Sequence, residues 1–381
     1  MFKARRQKSE KIKTLGSPIQ LSGKALAIQV HESYVWIAEN TAVVRKLDLE
    51  SGKTVQLYKG HTGPVTTLAF TDTNPGSGDG KILITGSWDR VNNSELISTT
   101  KDAHGDFIKS LFVLSSHNLL ISSGSDKIVR FWDLSTLQRK EPLRSVGSIS
   151  SHTRPVESLY ASTCFDTSAV LYTADTMGII KFWFLTKDGG SSPTWRGTLR
   201  EELIHHRTRI NEMLYGSDHL WTASADGTVQ VLNRASPEKS PPPIEHPAPV
   251  RSILPLALTE LGEPYLLTGA GDMMRVYDVS TADEPELIRE MDAHWHDITA
   301  IRLWKRVTAG SDGMSRIEPW IVSTSLDGTI RKWRLSELLS LPPIPKEPVI
   351  SAPAPPPSSQ KSGFKMTDDE ERELAELMDS D

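Results

Sequence analysis

One phrase recurs through this chain. A histidine stands four residues before one aliphatic residue and seven before another, at His61–Val65–Leu68, His104–Ile108–Leu111, His152–Val156–Leu159, His206–Ile210–Met213, His246–Val250–Ile253 and His294–Ile298–Ile301. Six of the eleven histidines share this offset, and they recur every 40 to 54 residues. A catalytic base is needed once, whereas a residue needed six times belongs to a frame. Self-similarity at such a period marks units that bury their apolar faces against their neighbours.

A second phrase follows each histidine. It reads ISSGSDKIVRFWD at 121–133, LWTASADGTVQVL at 220–232, IVSTSLDGTIRKW at 321–333, LLTGAGDMMRVYD at 266–278 and LITGSWDRVNNSEL at 83–96. Each is a β-branched strand, a tight turn holding an aspartate, and a second strand. A hydroxyl residue precedes that aspartate by four: Thr85 and Asp89, Ser122 and Asp126, Thr222 and Asp226, Thr268 and Asp272, Ser323 and Asp327. Trp132, Leu232, Tyr277 and Trp333 stand nine or ten residues beyond the hydroxyl.

The repeated phrases, covering roughly residues 15–338, resemble those of WD-repeat β-propellers. The resemblance implies an all-β fold with one four-stranded antiparallel sheet per repeat, set radially around a channel. It also implies a buried hydrogen-bonded chain of His, Ser or Thr, Asp and Trp in each regular unit. Such a chain satisfies a carboxylate that would otherwise cost several kcal/mol to bury.

Carried over residue by residue, unit three is complete with His104, Ser122, Asp126 and Trp132, and unit seven with His294, Ser323, Asp327 and Trp333. Unit five keeps His206, Thr222 and Asp226, with Leu232 at the tryptophan position. Unit six keeps His246, Thr268 and Asp272 and ends at Tyr277. Unit two keeps His61, Thr85 and Asp89 but has Glu95 where tryptophan belongs. Unit four has His152, Thr173 and Trp183, while its register puts Met177 at the aspartate position and Asp175 two places off. The segment before His61 reads as a degenerate first unit of four strands. Unit seven runs out after three strands, and IKTLGSPIQL at 12–21 is expected to supply the fourth, removing the exposed edges of an open ring. The expectation is a seven-bladed propeller over 12–340, with six or eight blades as the alternatives.

Four insertions rich in Gly, Pro or Ser, at 71–80, 186–199, 234–247 and 305–318, read as surface loops. Residues 1–11 read as a basic disordered N-terminus and 341–365 as a Pro-rich extended linker. The last segment, 366–381, carries eight acids against Arg372 and reads as an acidic amphipathic helix. Thr367 and Glu370 form a capping box there, and Leu374, Leu377 and Met378 share one face suited to docking on a partner.

Composition narrows the function. Net charge is −5, but residues 1–13 are strongly basic and the last sixteen strongly acidic, leaving a body near −3 with no general case for nucleic-acid binding. No run approaches a membrane span. No apolar core follows the basic start, so a cytoplasmic or nuclear location is expected. The lone Cys164 makes no internal disulfide and is expected to sit buried in the core. No G-x-x-x-x-G-K-[ST], H-E-x-x-H or G-x-S-x-G motif occurs, and no residue is assigned as catalytic, cofactor-binding or metal-ligating. The pairs His205–His206 and His294–His296 each have one member committed to the frame.

The expected function is a non-enzymatic scaffold, a monomeric propeller inside a hetero-complex, binding protein partners or acidic peptides on its rim. The alternative is a propeller-based hydrolase with its site at the channel mouth. Rim residues after the frame histidines are Phe107, Arg154, Arg207, Arg209 and Trp295, and the turn before Asp89 adds Trp88. Exposed Trp and Arg are favoured binding anchors.

Overall fold

The computed structural model describes residues 12–72, 81–89, 92–93, 99–100, 102–135, 137, 141–190, 193–281, 284–309 and 314–340. The strands belong to the first of two units, Met1–Leu341; the second, Pro342–Asp381, lies outside the described residues. The expectations for 1–11, Glu95, 341–365, Leu374, Leu377 and Met378 therefore fall outside them too.

The fold is an all-β propeller with little helix. Among the described residues the strands form seven four-stranded antiparallel sheets. The first sheet is Ala25–His31, Tyr34–Glu39, Val43–Asp48 and Thr54–Lys59; the second is Val65–Asp72, Lys81–Ser87, Asn92–Asn93 and Thr99–Thr100. The third is Ile108–Leu114, Leu119–Gly124, Val129–Asp133 and Arg144–Ile149; the fourth is Val156–Phe165, Ser168–Asp175, Ile179–Lys187 and Trp195–Ile204. The fifth is Ile210–Gly216, His219–Ser224, Thr228–Asn233 and Ile244–Glu245; the sixth is Val250–Pro255, Tyr265–Ala270, Met273–Asp278 and Glu286–Asp292. The seventh takes Ile298–Ala309, Ser315–Ser325 and Thr329–Arg334 from one end of the chain and Ile19–Gln20 from the other.

Sheets of this kind have two apolar faces, so each must be sandwiched between neighbours. The first strand of every sheet packs against the first strand of the next, and Ile298–Ala309 packs against Ala25–His31. An apolar cluster fills each interface. Between sheets three and four, Phe131, Val156, Leu171 and Trp183 meet; between seven and one, Ile28, Val35, Ile37, Trp304 and Ile330 meet. The cluster between sheets one and two is the smallest, with Ala38, Val44, Val65, Leu68 and Leu83 fully buried.

The N-terminal segment is latched onto the seventh sheet. Ile19 pairs with Ile330 and Gln20 with Thr329. The Leu21 amide donates to the Gly328 carbonyl at 2.8 Å, and the Lys332 amide to the Gly16 carbonyl at 2.7 Å. Arg331 donates to the Ile12 carbonyl at 2.6 Å. Gly16, at φ +67°, lies flat on the Trp333 ring, where an added Cβ would come within 2.9 Å of Cζ2. After Arg334 the chain turns into a short helix, Leu335–Leu339, whose Leu335 and Leu338 are buried against sheets six and seven.

Four readings need correction. Within 234–247, read as a surface loop, Ile244–Glu245 is the outer strand of sheet five and Ile244 is buried. Residues 305–309 and 315–318 are strand, an extended hairpin in which Val307 faces Ile317, rather than loop. Arg306 braces it with paired 2.8 Å contacts to Glu50. Likewise 195–199 begins the outer strand of sheet four, and Trp195 is only 4% exposed, packed on His117 at 5.1 Å. In both places Gly and Ser cluster at the middle of the insertion while the flanks carry strand-forming residues, and averaging hid them. Cys164 is exposed rather than buried: Thr163, Cys164 and Phe165, at the end of the first strand of sheet four, all lie in solvent.

Candidate functional site

The aspartate turns between second and third strands, together with the frame histidines, all lie at one end of the sheets, hereafter the frame face. In sheet three, Trp132 Nε1 donates to Ser122 Oγ at 2.8 Å. Ser122 Oγ lies 2.7 Å from His104 Nε2, and His104 Nδ1 lies 2.9 Å from Asp126 Oδ1. The Gly105 and Ile128 amides also donate to Asp126. Only one tautomer serves this chain: indole N–H to hydroxyl, hydroxyl O–H to Nε2, and Nδ1–H to carboxylate, an assignment made from the network. Sheet seven repeats it with Trp333, Ser323, His294 and Asp327. Sheet five has Thr222, His206 and Asp226, and sheet two has Thr85, His61 and Asp89.

Sheet four keeps the register read from its sequence, yet still closes its chain with an aspartate. Met177 occupies the aspartate position, but Asp175, two residues earlier, reaches His152 Nδ1 at 3.0 Å while accepting the Met177 amide at 2.9 Å. The residue equivalent to Asp175 in sheet five is Ser224, which accepts only from the turn amide of Asp226. A carboxylate is longer than a hydroxyl, so one Asp caps the turn and satisfies the imidazole together. Thr173 and Trp183 complete that chain at 2.7 and 2.9 Å. In sheet six, His246 Nδ1 donates to the Ile244 carbonyl at 3.2 Å, and Nε2 meets Thr268 at 2.9 Å and the Tyr277 hydroxyl at 3.3 Å.

Sheet one lacks the histidine and uses an ion pair instead. Glu39, with no exposed surface, takes charge-assisted hydrogen bonds from Arg45 and accepts from Thr41 at 3.0 Å. A matching donor recurs elsewhere, two residues before the tryptophan position: Arg130, Lys181 and Gln230 each bond a backbone carbonyl beside the frame histidine. Arg275 and Arg331 hold the same place in sheets six and seven. This row is legible in the repeated phrases as R, K or Q two residues before the tryptophan position, a signal the histidine and aspartate offsets do not contain.

Burial pushes the imidazoles of His61, His206 and His294 down, against the pull of their aspartates. Burial with Arg275 nearby pushes His246 down to about 4. Burial alone would raise Asp226, yet bonds from Thr228, the Arg207 amide and His206 hold it at about 2. Asp126, Asp175 and Asp327 are lowered in the same way. A neutral buried imidazole is stabilising while neutral and must gain a proton as pH falls through the unfolded value toward the folded one. Stability is therefore expected to fall between about pH 6.5 and pH 4, by roughly 3 kcal/mol from His246 alone. Denaturant midpoints at pH 7 and pH 4.5 check this, and His246→Gln is expected to flatten the dependence.

Turning to the rim, Trp88 from sheet two stacks on Phe107 from sheet three, centroids 5.0 Å apart and 23° between planes. Both remain in solvent, at 42% and 38% exposure. Arg154 and Arg207 are exposed along the next two sheets. Arg209 is half-buried and tied to Asn211 at 3.0 Å, so it is already committed to the frame. Met177, left unassigned by its odd register, sits on the same arc at 50% exposure. Trp295 stands apart on sheet seven at 49%. Among the described residues no three His, Cys, Asp or Glu side chains gather as a metal ion would require, and no helix is long and apolar enough to cross a membrane.

Comparison with known proteins fits this geometry. The family model for the WD domain, G-beta repeat, matches residues 52–91 and 95–133. Each matched unit begins with the outermost strand of one sheet and continues through the first strands of the next, so the sequence repeat is offset from the sheet by one strand. The chain is 29% identical over 383 residues to an uncharacterized WD repeat-containing protein of Schizosaccharomyces pombe, covering 95% of this chain and 91% of that one. It is 23% identical over 289 residues to a serine-threonine kinase receptor-associated protein of Dictyostelium discoideum, covering 75% of this chain and 85% of that one.

Proposed function

We propose that this WD-repeat protein is a non-catalytic platform, a seven-bladed ring closed by its N-terminal strand, that binds protein partners on its frame face within a larger intracellular complex. The observation that carries the reading is the exposed Trp88–Phe107 stack bridging two sheets. Large aromatic surface left in water on a rigid scaffold is the usual composition of an interface anchor. The seven sheets and the Ile19–Ile330 pairing support the closed ring. The Dictyostelium relative is named for association with a receptor, which favours partner binding over catalysis.

On the two sheets that follow the stack, Met177, Arg154 and Arg207 are exposed, so a peptide with an apolar anchor and flanking acids fits the arc. Trp88→Ala combined with Phe107→Ala is expected to weaken the principal partner at least tenfold while leaving the thermal transition in place, since both side chains already face solvent.

A further inference from the structure

At the opposite end of the sheets from the frame, between sheets one and two, lies a cleft of about 330 Å³. It is lined from sheet one by residues including Trp36, Lys46 and Tyr58 and from sheet two by Phe70, Lys81 and Leu83. Among the described residues this interface has the smallest buried cluster, and Trp36, Tyr58 and Phe70 are left only partly covered. Tyr34 continues this wall, with Trp36 packed edge-on against Phe70 at 5.0 Å.

Cations crown the aromatic wall. Lys46 Nζ lies 4.2 Å from the Tyr34 ring centroid and 5.0 Å from that of Trp36. Among the described residues no carboxylate stands within ion-pair distance of Lys46, so two π-faces rather than a counter-ion fix its position. Lys81 lines the same cleft and is exposed. Among the described residues, the remaining titratable groups there, besides the tyrosines, are His31 and Glu32, 3.9 Å apart, with Glu32 turned 75% into solvent. An anion entering the cleft meets two ammonium groups without having to break an ion pair, and the group carrying it meets aromatic faces. The volume lies at the lower end of the usual range for small-ligand pockets.

We propose that this cleft binds an aromatic ring bearing a phosphate monoester, the phosphate on Lys46 and Lys81 and the ring against Tyr58 and Phe70. A phosphotyrosine side chain and a nucleoside monophosphate share this chemistry. The proposal stands on the face opposite the frame and does not depend on the partner reading above.

Titration calorimetry of the full chain at constant ionic strength, with phenyl phosphate, inorganic phosphate and phenol as separate probes, tests it. Phenyl phosphate is expected to saturate one site at least tenfold more tightly than either of the others. Lys46→Gln and Lys81→Gln are each expected to weaken it at least fivefold, while Lys187→Gln has no effect. Lys81 is exposed, so its variant keeps the test valid even if Lys46→Gln perturbs folding. A phosphotyrosine tripeptide and adenosine monophosphate, titrated next, assign the source by whichever binds more tightly. Phenyl phosphate binding no better than inorganic phosphate, or binding indifferent to both lysine variants, overturns the proposal.

Discussion

Removing residues 1–21 is expected to lower the melting temperature by more than about 10 °C and to produce concentration-dependent association. The segment buries Ile12 and Leu21, each under 7% exposed, and beyond its strand pairing makes four backbone or guanidinium bonds to the seventh sheet and its turn, Leu21 to Gly328, Lys332 to Gly16 and Arg331 to both Ile12 and Leu15. Two buried aliphatic side chains contribute about 2 kcal/mol each and the bonds roughly 1 kcal/mol each. For a chain of this size one kcal/mol moves the transition by about 2–4 °C or less. Loss of the strand also exposes the Thr329–Arg334 edge, a template for pairing with a second chain. A single substitution makes the same point: Gly16→Val forces a Cβ onto Trp333 at a left-handed φ and is expected to cost roughly 2–3 kcal/mol. Calorimetry with light scattering checks both. A truncated protein melting within 2 °C of the parent, a margin set by roughly 1 kcal/mol, would mean the ends do not close the ring.

The frame chains predict the second large effect. Ser122→Ala removes the one hydroxyl that receives Trp132 Nε1 and reaches His104 Nε2, leaving two buried polar atoms without partners. An unsatisfied buried group costs about 1–3 kcal/mol, so a loss of roughly 3 kcal/mol is expected. Thr222→Val in sheet five leaves only His206 unpaired, because Leu232 stands where an indole would, and is expected to cost about half as much. Ser122→Thr is expected to restore most of the stability, since Thr173 performs the same task for Trp183 and His152. Equal losses for Ser122→Ala and Thr222→Val would mean that packing alone, not the hydrogen-bonded chain, sets the cost.

Much of the frame was legible because it rests on fixed offsets. The histidine stands four and seven residues before two apolar residues in six units, and the hydroxyl stands ten residues before the indole at Trp132, Trp183 and Trp333. What escaped is what geometry permits away from the offset. Asp175 closes sheet four from two residues early because its reach spans both the turn amide and the imidazole. Glu39 and Arg45 replace the histidine chain in sheet one with a different chemistry at the same place. The rim was read as residue types, and the pairing of Trp88 with Phe107 was not visible, because it joins neighbouring sheets whose spacing only the folded ring sets. The cleft beside Lys46 was invisible for the same reason: its lining comes from two neighbouring sheets, and no motif encodes a gap.

The most direct test of the partner-platform account is quantitative affinity purification from the native cell. It compares the intact chain with Trp88→Ala/Phe107→Ala and with Val307→Ser/Ile317→Ser, the second pair lying on the exposed sheet-seven hairpin away from the frame face. The account predicts one or two stoichiometric protein partners with the intact chain, lost with the first variant and retained with the second. Partners retained at full stoichiometry by the Trp88/Phe107 variant, or an intact chain that purifies alone, would contradict it.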